Sequence, residues 1–156
     1  MEAARRATCD DLAEIDRLAD LARAQLAGQR GGPLLLRREA RPEGPMRLPA
    51  SDDPDTALIV GTIDGVVVGY GYARAETLRD GGRLAVVDEL FVEPEARGVG
   101  VGEAIMDELV TFARDRGCAG IDAVALPGDR ATKNFFERFG LTARAIIVHR
   151  DLEPRP

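Results

Sequence analysis

Six consecutive residues, Arg97-Gly98-Val99-Gly100-Val101-Gly102, combine two things that a phosphate group needs, bare backbone and positive charge. They lie between an apolar run ending in Leu90-Phe91-Val92 and a helix-like run starting at Glu103. Glycines on alternate positions remove the Cβ atoms that would keep a ligand from the main chain. They also tolerate the positive φ that turns successive N–H groups toward one point. A helix that begins here adds unpaired N–H groups and a partial positive charge, worth roughly 0.3 to 1 kcal/mol for an anion at its first turn. Arg97 supplies a full, mobile charge. Immediately upstream, Asp88 and Glu89 stand side by side in an apolar strand-like run, where a carboxylate is a candidate proton acceptor.

Spacing separates the phosphate motifs that share this logic. A Walker loop ends in Gly-Lys-Ser/Thr, whereas Gly102 is followed by Glu103-Ala104. The dinucleotide fingerprint requires glycines at the first, third and sixth positions, and counting from Gly98 the sixth is Glu103. The form that fits is Arg or Gln, two residues, Gly, one residue, then Gly or Ala, met by Arg97, Gly100 and Gly102. This resembles the acyl-CoA loop of the GCN5-related N-acetyltransferases. Val87 to Ala96 is similar to that family's fourth strand and the turn into its pyrophosphate loop, and Asn134-Phe135-Phe136-Glu137-Arg138-Phe139-Gly140-Leu141 to its late helix. Arg6 to Leu12 is similar to the opening strand and first helix start. The segments occur in the family's order and cover nearly the whole chain.

The resemblance implies an α/β fold in one N-acetyltransferase domain over residues 1–156, with a mixed, mostly antiparallel central sheet flanked by helices and splayed at the acyl-CoA site. It implies acetyl-CoA as cosubstrate, with no metal, and direct transfer to a primary amine of a small molecule or peptide. The backbone of Phe91 and Val92 would pair with the pantetheine arm. The amides of Gly98, Val99, Gly100, Val101, Gly102 and Glu103 would hold the pyrophosphate, with Asn134 and Phe136 of the late helix against the cofactor. An alkyl ammonium must lose a proton before it attacks, an equilibrium cost of roughly 4 to 5 kcal/mol at neutral pH. Asp88 and Glu89 are the two candidates for that proton. Strand alternation places them on opposite sides, so at most one of the two is expected to face the acceptor directly. In histone-type members the base lies where this chain has Val86, which disfavours that branch.

This chain departs from the family where a tyrosine commonly protonates the leaving thiolate, since the matching residue is Phe136. Tyr70, Tyr72, Cys118 or water are the substitutes, and a thiol with a pKa near 8.5 is a tolerable leaving group unaided. The departure also motivates a rival reading, a CoA-binding regulatory domain or pseudoenzyme. A partner-binding domain without cofactor is a second rival. An asparagine often opens the family's late helix, and the matching residue here is Asp129, better read as a helix cap. Arg130 and Lys133 are one turn apart and could meet nucleotide phosphates. His149 is the only histidine, so neither a hydrolase triad nor a metal site has support.

Composition agrees with a compact domain: 156 residues, 45% hydrophobic, formal charge −6. The negative charge argues against a nucleic-acid partner and weakly favours a cationic acceptor. Cys9 and Cys118 have no paired spacing and read as reduced thiols of a cytoplasmic protein. No apolar stretch is long enough to span a membrane, and no signal peptide is expected. Dimers are frequent in the resembled family, which makes a homodimer the assembly to test.

These groups need scaffolding. Asp10 or Asp11 can cap a helix with Leu12, Ile15, Leu18, Ala19, Ala22 and Leu26 on one face. Gly28 to Asp55 is expected as a long loop with one short helix, and in the resembled family this region forms a wall of the acceptor pocket. Thr56–Ile63 and Val66–Ala73 flank Asp64-Gly65 and predict an antiparallel hairpin. Asp80-Gly81-Gly82 predicts a second turn leading into a strand from Leu84 to Val92. A helix from Val101 to about Arg116, a buried strand from Ile121 to Leu126, a helix from Asp129 to Phe139 and a last strand from Ala143 to Val148 complete the expectation.

Overall fold

The computed structural model describes residues 1–50 and 52–153. The elements run β1 (Glu2–Arg6), α1 (Leu12–Ala27), α2 (Gly32–Arg38), β2 (Thr56–Ile63), β3 (Val66–Thr77), β4 (Arg83–Val92), α3 (Val101–Asp115), β5 (Gly120–Ala123) and α4 (Arg130–Arg138). The five strands form one sheet in sequence order, antiparallel from β1 to β4 and parallel between β4 and β5. The β2–β3 hairpin turns at Asp64 (φ 48°) and Gly65 (φ 83°), the pair of positive φ values that a two-residue turn between right-twisted strands requires.

Both faces of the sheet are covered, so β2 is buried from Ala57 to Thr62 instead of alternating with solvent. On one face, Ile59, Ala73 and Val87 pack under Ile105, Met106, Leu109 and Phe112 of α3. On the other, Leu58, Val60, Tyr70 and Phe91 pack against Ile15 and Leu18 of α1. Gly61 lets α3 come close, because a Cβ there would lie 2.6 Å from a methyl of Val101.

The entry to α1 differs in detail from the sequence expectation. A short 3-10 turn, Cys9–Asp11, precedes the helix, and Thr8 and Asp11 cap that turn reciprocally. Asp11 accepts the Thr8 N–H at 2.7 Å and a two-pronged contact from Arg5 at 2.7 and 3.0 Å. The Arg5 guanidinium is the main reason the Asp11 carboxyl is held down to about 2.

Two strand expectations change. The expected strand from Ile121 to Leu126 pairs only over Gly120–Ala123 and is half-buried, since Val124 is already 55% exposed. Ala143 to Val148 joins no sheet and is exposed beyond α4, with Ile146, Ile147 and Val148 facing solvent. Arg144 holds Asp122 of β5, but no backbone ladder forms. β-propensity alone does not make a strand. Among the described residues no helix is long and apolar enough to cross a membrane.

Candidate functional site

The sheet opens at the C-terminal half of β4. Parallel pairing with β5 covers Leu84 to Val87 against Gly120 to Ala123 and then stops. From Asp88 to Val92 the strand keeps β3 on one side and has no strand on the other. A cavity of about 470 Å³ fills the gap, lined by β4 from Val86 to Phe91, by Val124 and Leu126 beyond β5, and by parts of α1, α2 and α4. An extended ligand arm in that gap would meet an unpaired strand edge, the arrangement that binds a chain by backbone pairing.

At the end of β4 the chain turns through Pro94–Ala96 into the glycine loop. Gly98 (φ 83°) and Gly100 (φ 96°) adopt left-handed backbone, and Gly100 caps α3. The first amide of this region to be bonded is Ala104 N–H, to Gly100 O at 3.0 Å. The six amides from Gly98 to Glu103 have no acceptor among the described residues. Those donors, at the start of a 15-residue helix, suit a diphosphate. Gly102 also serves a second end. Its Cβ would lie 3.1 Å from the Phe135 ring, so its absence lets α4 pack on α3.

Arg97 is not free. Its Nε donates to Val92 O at 2.8 Å, Nη2 donates to Gln25 at 3.0 Å, and the guanidinium lies 5.2 Å from the Phe91 ring centroid. The Val92 carbonyl that the resemblance assigns to pantetheine therefore carries Arg97 in this structure. Phe136 is buried and lines the cavity, edge-on to Phe135. Asn134 is exposed and is not part of the cavity wall. Asp129 caps α4 through Thr132 N–H at 3.1 Å, Lys133 pairs loosely with Glu137, and Arg130 is exposed.

Asp88 and Glu89 do not face opposite sides. Tyr72 pairs with Glu89 while Ala73 pairs with Val87, so β4 carries one extra residue at Asp88. Val87 and Leu90 both pack toward α3, and the bulge turns the two residues between them toward α1. Both carboxylates line the same cavity. Their partners separate them. Glu89 accepts from Tyr70 Oη at 2.9 Å on one oxygen and from Arg41 Nε at 3.1 Å on the other. Asp88 accepts from Arg74 Nε at 3.0 Å through Oδ2 alone, and Oδ1 has no hydrogen-bond partner among the described residues. Burial pushes the Asp88 carboxyl above its ordinary value and outweighs the opposing pull of Arg74.

Tyr70 is fully buried, and burial followed by the Glu89 charge raises its phenol far above the usual range. Its proton is committed to Glu89. Burial also raises Tyr72, whose ring lines a second hollow under the loop of residues 41–50. Cys118 lies within the α3–β5 connection and does not line the cavity. Arg41 belongs to the second hollow and its partner Glu89 to the first, so this ion pair stands between the two. Neither Arg41 nor Arg74 is singled out by sequence, because an arginine in an aperiodic loop or at a strand end carries no spacing signal.

Among the described residues no cluster of His, Cys, Asp and Glu could hold a metal ion. The open strand edge and the unpaired amides instead fit an acyl-CoA thioester.

Comparison with known proteins agrees with this geometry. The model of the acetyltransferase (GNAT) family matches residues 16–141. The thialysine N-epsilon-acetyltransferase of Bos taurus is 30% identical over 76 residues, 47% of this chain and 44% of that protein. The chain thus matches less than half the length of that curated relative. Among solved structures, the tetramutant of the BH1408 protein from Bacillus halodurans superimposes with a TM-score of 0.75 at 18% identity, covering 96% of this chain and 99% of that one. AAC(6')-Iy, solved in complex with a bisubstrate analog, CoA-S-monomethyl-acetylneamine, gives a TM-score of 0.68 at 16% identity with 99% of each chain covered. With the family model spanning most of the chain, from within α1 to just past α4, the protein belongs to the acetyltransferase (GNAT) family.

Proposed function

We propose that the chain transfers an acetyl group from acetyl-CoA directly to a primary amine of a small molecule or peptide, with both substrates bound together. The observation that carries this reading is the pairing of six acceptor-free amides, Gly98 to Glu103, with a sheet opening that has two carboxylates on its wall. Acetyl-CoA supplies the acetyl group as a thioester. The loop amides hold its diphosphate, and Arg97 leaves Val92 O so that the free β4 edge can take the arm. Asp88 accepts the ammonium proton through Oδ1, the oxygen that Arg74 leaves free. Glu89, with both oxygens engaged, anchors the wall and keeps Arg41 and Tyr70 in place. The thiolate leaves without a protein acid, because Phe136 has no proton to give and Tyr70 is committed. Water restores the thiol, whose pKa near 8.5 makes it a tolerable leaving group. Catalysis then rests on positioning and one base.

The curated relative is named for acetylating the ε-amine of thialysine. A side-chain amine of similar reach is the natural first acceptor to try here. A homodimer belongs to the same reading, through the unpaired segment after α4. Phe136 favours one other reading, a domain that binds acetyl-CoA and does not turn it over.

Calorimetry with acetyl-CoA and thiol release with a panel of primary amines separate these. The proposal expects micromolar binding, amine-dependent thiol release, and loss of binding in folded Gly100→Val, where a β-branched residue would have to adopt φ 96°. Binding without release for any amine would support the non-catalytic reading. Binding retained by Gly100→Val would remove the glycine loop from the site.

A further inference from the structure

We infer that the acceptor carries a carboxylate, or a similar anionic group, in addition to the amine, and that Arg23 of α1 reads it; the inference rests on the amine-acceptor reading above. Arg23 lines the main cavity and is half-buried, yet among the described residues its guanidinium has no carboxylate partner. Its one bond is from Nη1 to the carbonyl of Arg41, at 3.1 Å. The other arginines that line this cavity, Arg38 and Arg74, are matched, and so is Arg41 beside it. Arg74 holds Asp88 and Glu76, Arg41 holds Glu89, and Arg38 holds Glu39. Among the described residues Arg23 is thus the arginine of the cavity lining that no carboxylate holds.

Its place assigns it to the acceptor and not to the diphosphate. Arg23 is tied to Arg41, whose Nε rests on Glu89, and its charge reaches the Tyr70 phenol beneath them. The diphosphate loop begins at Gly98, and there the α1 contact is made by Gln25 through Arg97. An amine delivered to Asp88 thus has Arg23 on the facing wall, formed by α1. A guanidinium with free N–H groups in a partly dehydrated cavity is matched by a planar anion, which it binds through paired N–H donors. A substrate with a cation at one end and an anion at the other neutralises both walls. An amine without the anion leaves Arg23 as it is.

The test uses matched pairs that differ only in the carboxylate: L-lysine against cadaverine, and L-ornithine against putrescine. With wild-type protein and saturating acetyl-CoA, kcat/KM for the carboxylated member should exceed that of its partner by about tenfold or more. In Arg23→Gln that ratio should fall toward one through a rise in KM for the amino acids, and Arg23→Lys should restore part of it. Calorimetry of the CoA-bound protein with the same four compounds reads the preference without turnover. If nothing is acetylated but the amino acids still bind better, and Arg23→Gln removes that preference, the transferase reading fails and this one stands. Equal binding and turnover within the pairs, or a preference that survives Arg23→Gln, overturns it. So does a loss of acetyl-CoA affinity in Arg23→Gln as large as the loss of amino-acid affinity, which would make Arg23 a cofactor residue.

Discussion

Asp88 and Glu89 are neighbours of the same chemistry, and their surroundings give them different work. Glu89 has an arginine on one oxygen and a phenol on the other, so an incoming ammonium would have to displace Arg41 to reach it. Asp88 keeps an oxygen free and is pushed up by burial, which brings it nearer to the protonation range useful for a base. The base must be deprotonated to act, so activity falls as pH drops through its pKa, and burial moves that acid limb upward from where an ordinary aspartate would put it. Asp88→Asn should lower kcat by about 10² to 10⁴ and abolish the limb. Glu89→Gln should leave the limb in place and act mainly on KM, because it releases Arg41. A pH profile of thiol release for both variants checks this, and a limb that follows Glu89 instead would reverse the roles.

At the scale of elements, the turn before α1 depends on one charged knot. Asp11 is nearly buried, caps Thr8 and holds Arg5, and its carboxyl is lowered to about 2 in the folded chain. A group whose folded pKa is depressed stabilises the fold fully above its unfolded value near 4, and that stability is lost as pH falls toward 2. Half of the Arg5 side chain is in solvent, which screens the pair, so the contribution is about 1 to 2 kcal/mol. Asp11→Asn should destabilise by that amount at pH 7 and flatten the acid limb of stability between pH 4 and 2; denaturant melts across that range would show it, and superimposable limbs would refute it. Most element positions were legible in the sequence, because hydrophobic period, Asp-Gly and Gly turns and the Asp129 cap are local signals. The bulge at Asp88 was not legible. It is a mismatch of register between Tyr72 and Ala73 across two strands, and the alternation rule then assigns the carboxylates wrongly. Gly102 has a further reason to be glycine that sequence does not show, the room its missing Cβ leaves for Phe135. The ties of Arg41 to Glu89 and of Arg97 to Val92 are tertiary contacts that no spacing announces.

For the whole molecule, the asymmetry of the sheet is decisive. β4 is open at its C-terminal half, which makes the cleft, and β5 is an edge strand of only four residues with one neighbour, β4. Close to that edge runs a segment with the composition of a strand and no ladder of its own, Ala143 to Val148, with Ile146 at 85%, Ile147 at 77% and Val148 at 89% exposure. An apolar, β-branched segment beside an open edge is a template for pairing with another chain, and a second copy brings both the edge and the segment. In the isolated chain these side chains bury almost nothing, so Ile147→Lys should change the stability of dilute monomer by no more than about 0.5 kcal/mol. Its effect should fall on association, because a lysine on the segment opposes edge pairing. Sedimentation across a concentration series should show wild-type dimer where the variant is monomeric. If the segment instead folded onto the β5 edge of its own chain, Ile147→Lys would destabilise the dilute protein well beyond that bound and leave the association state unchanged.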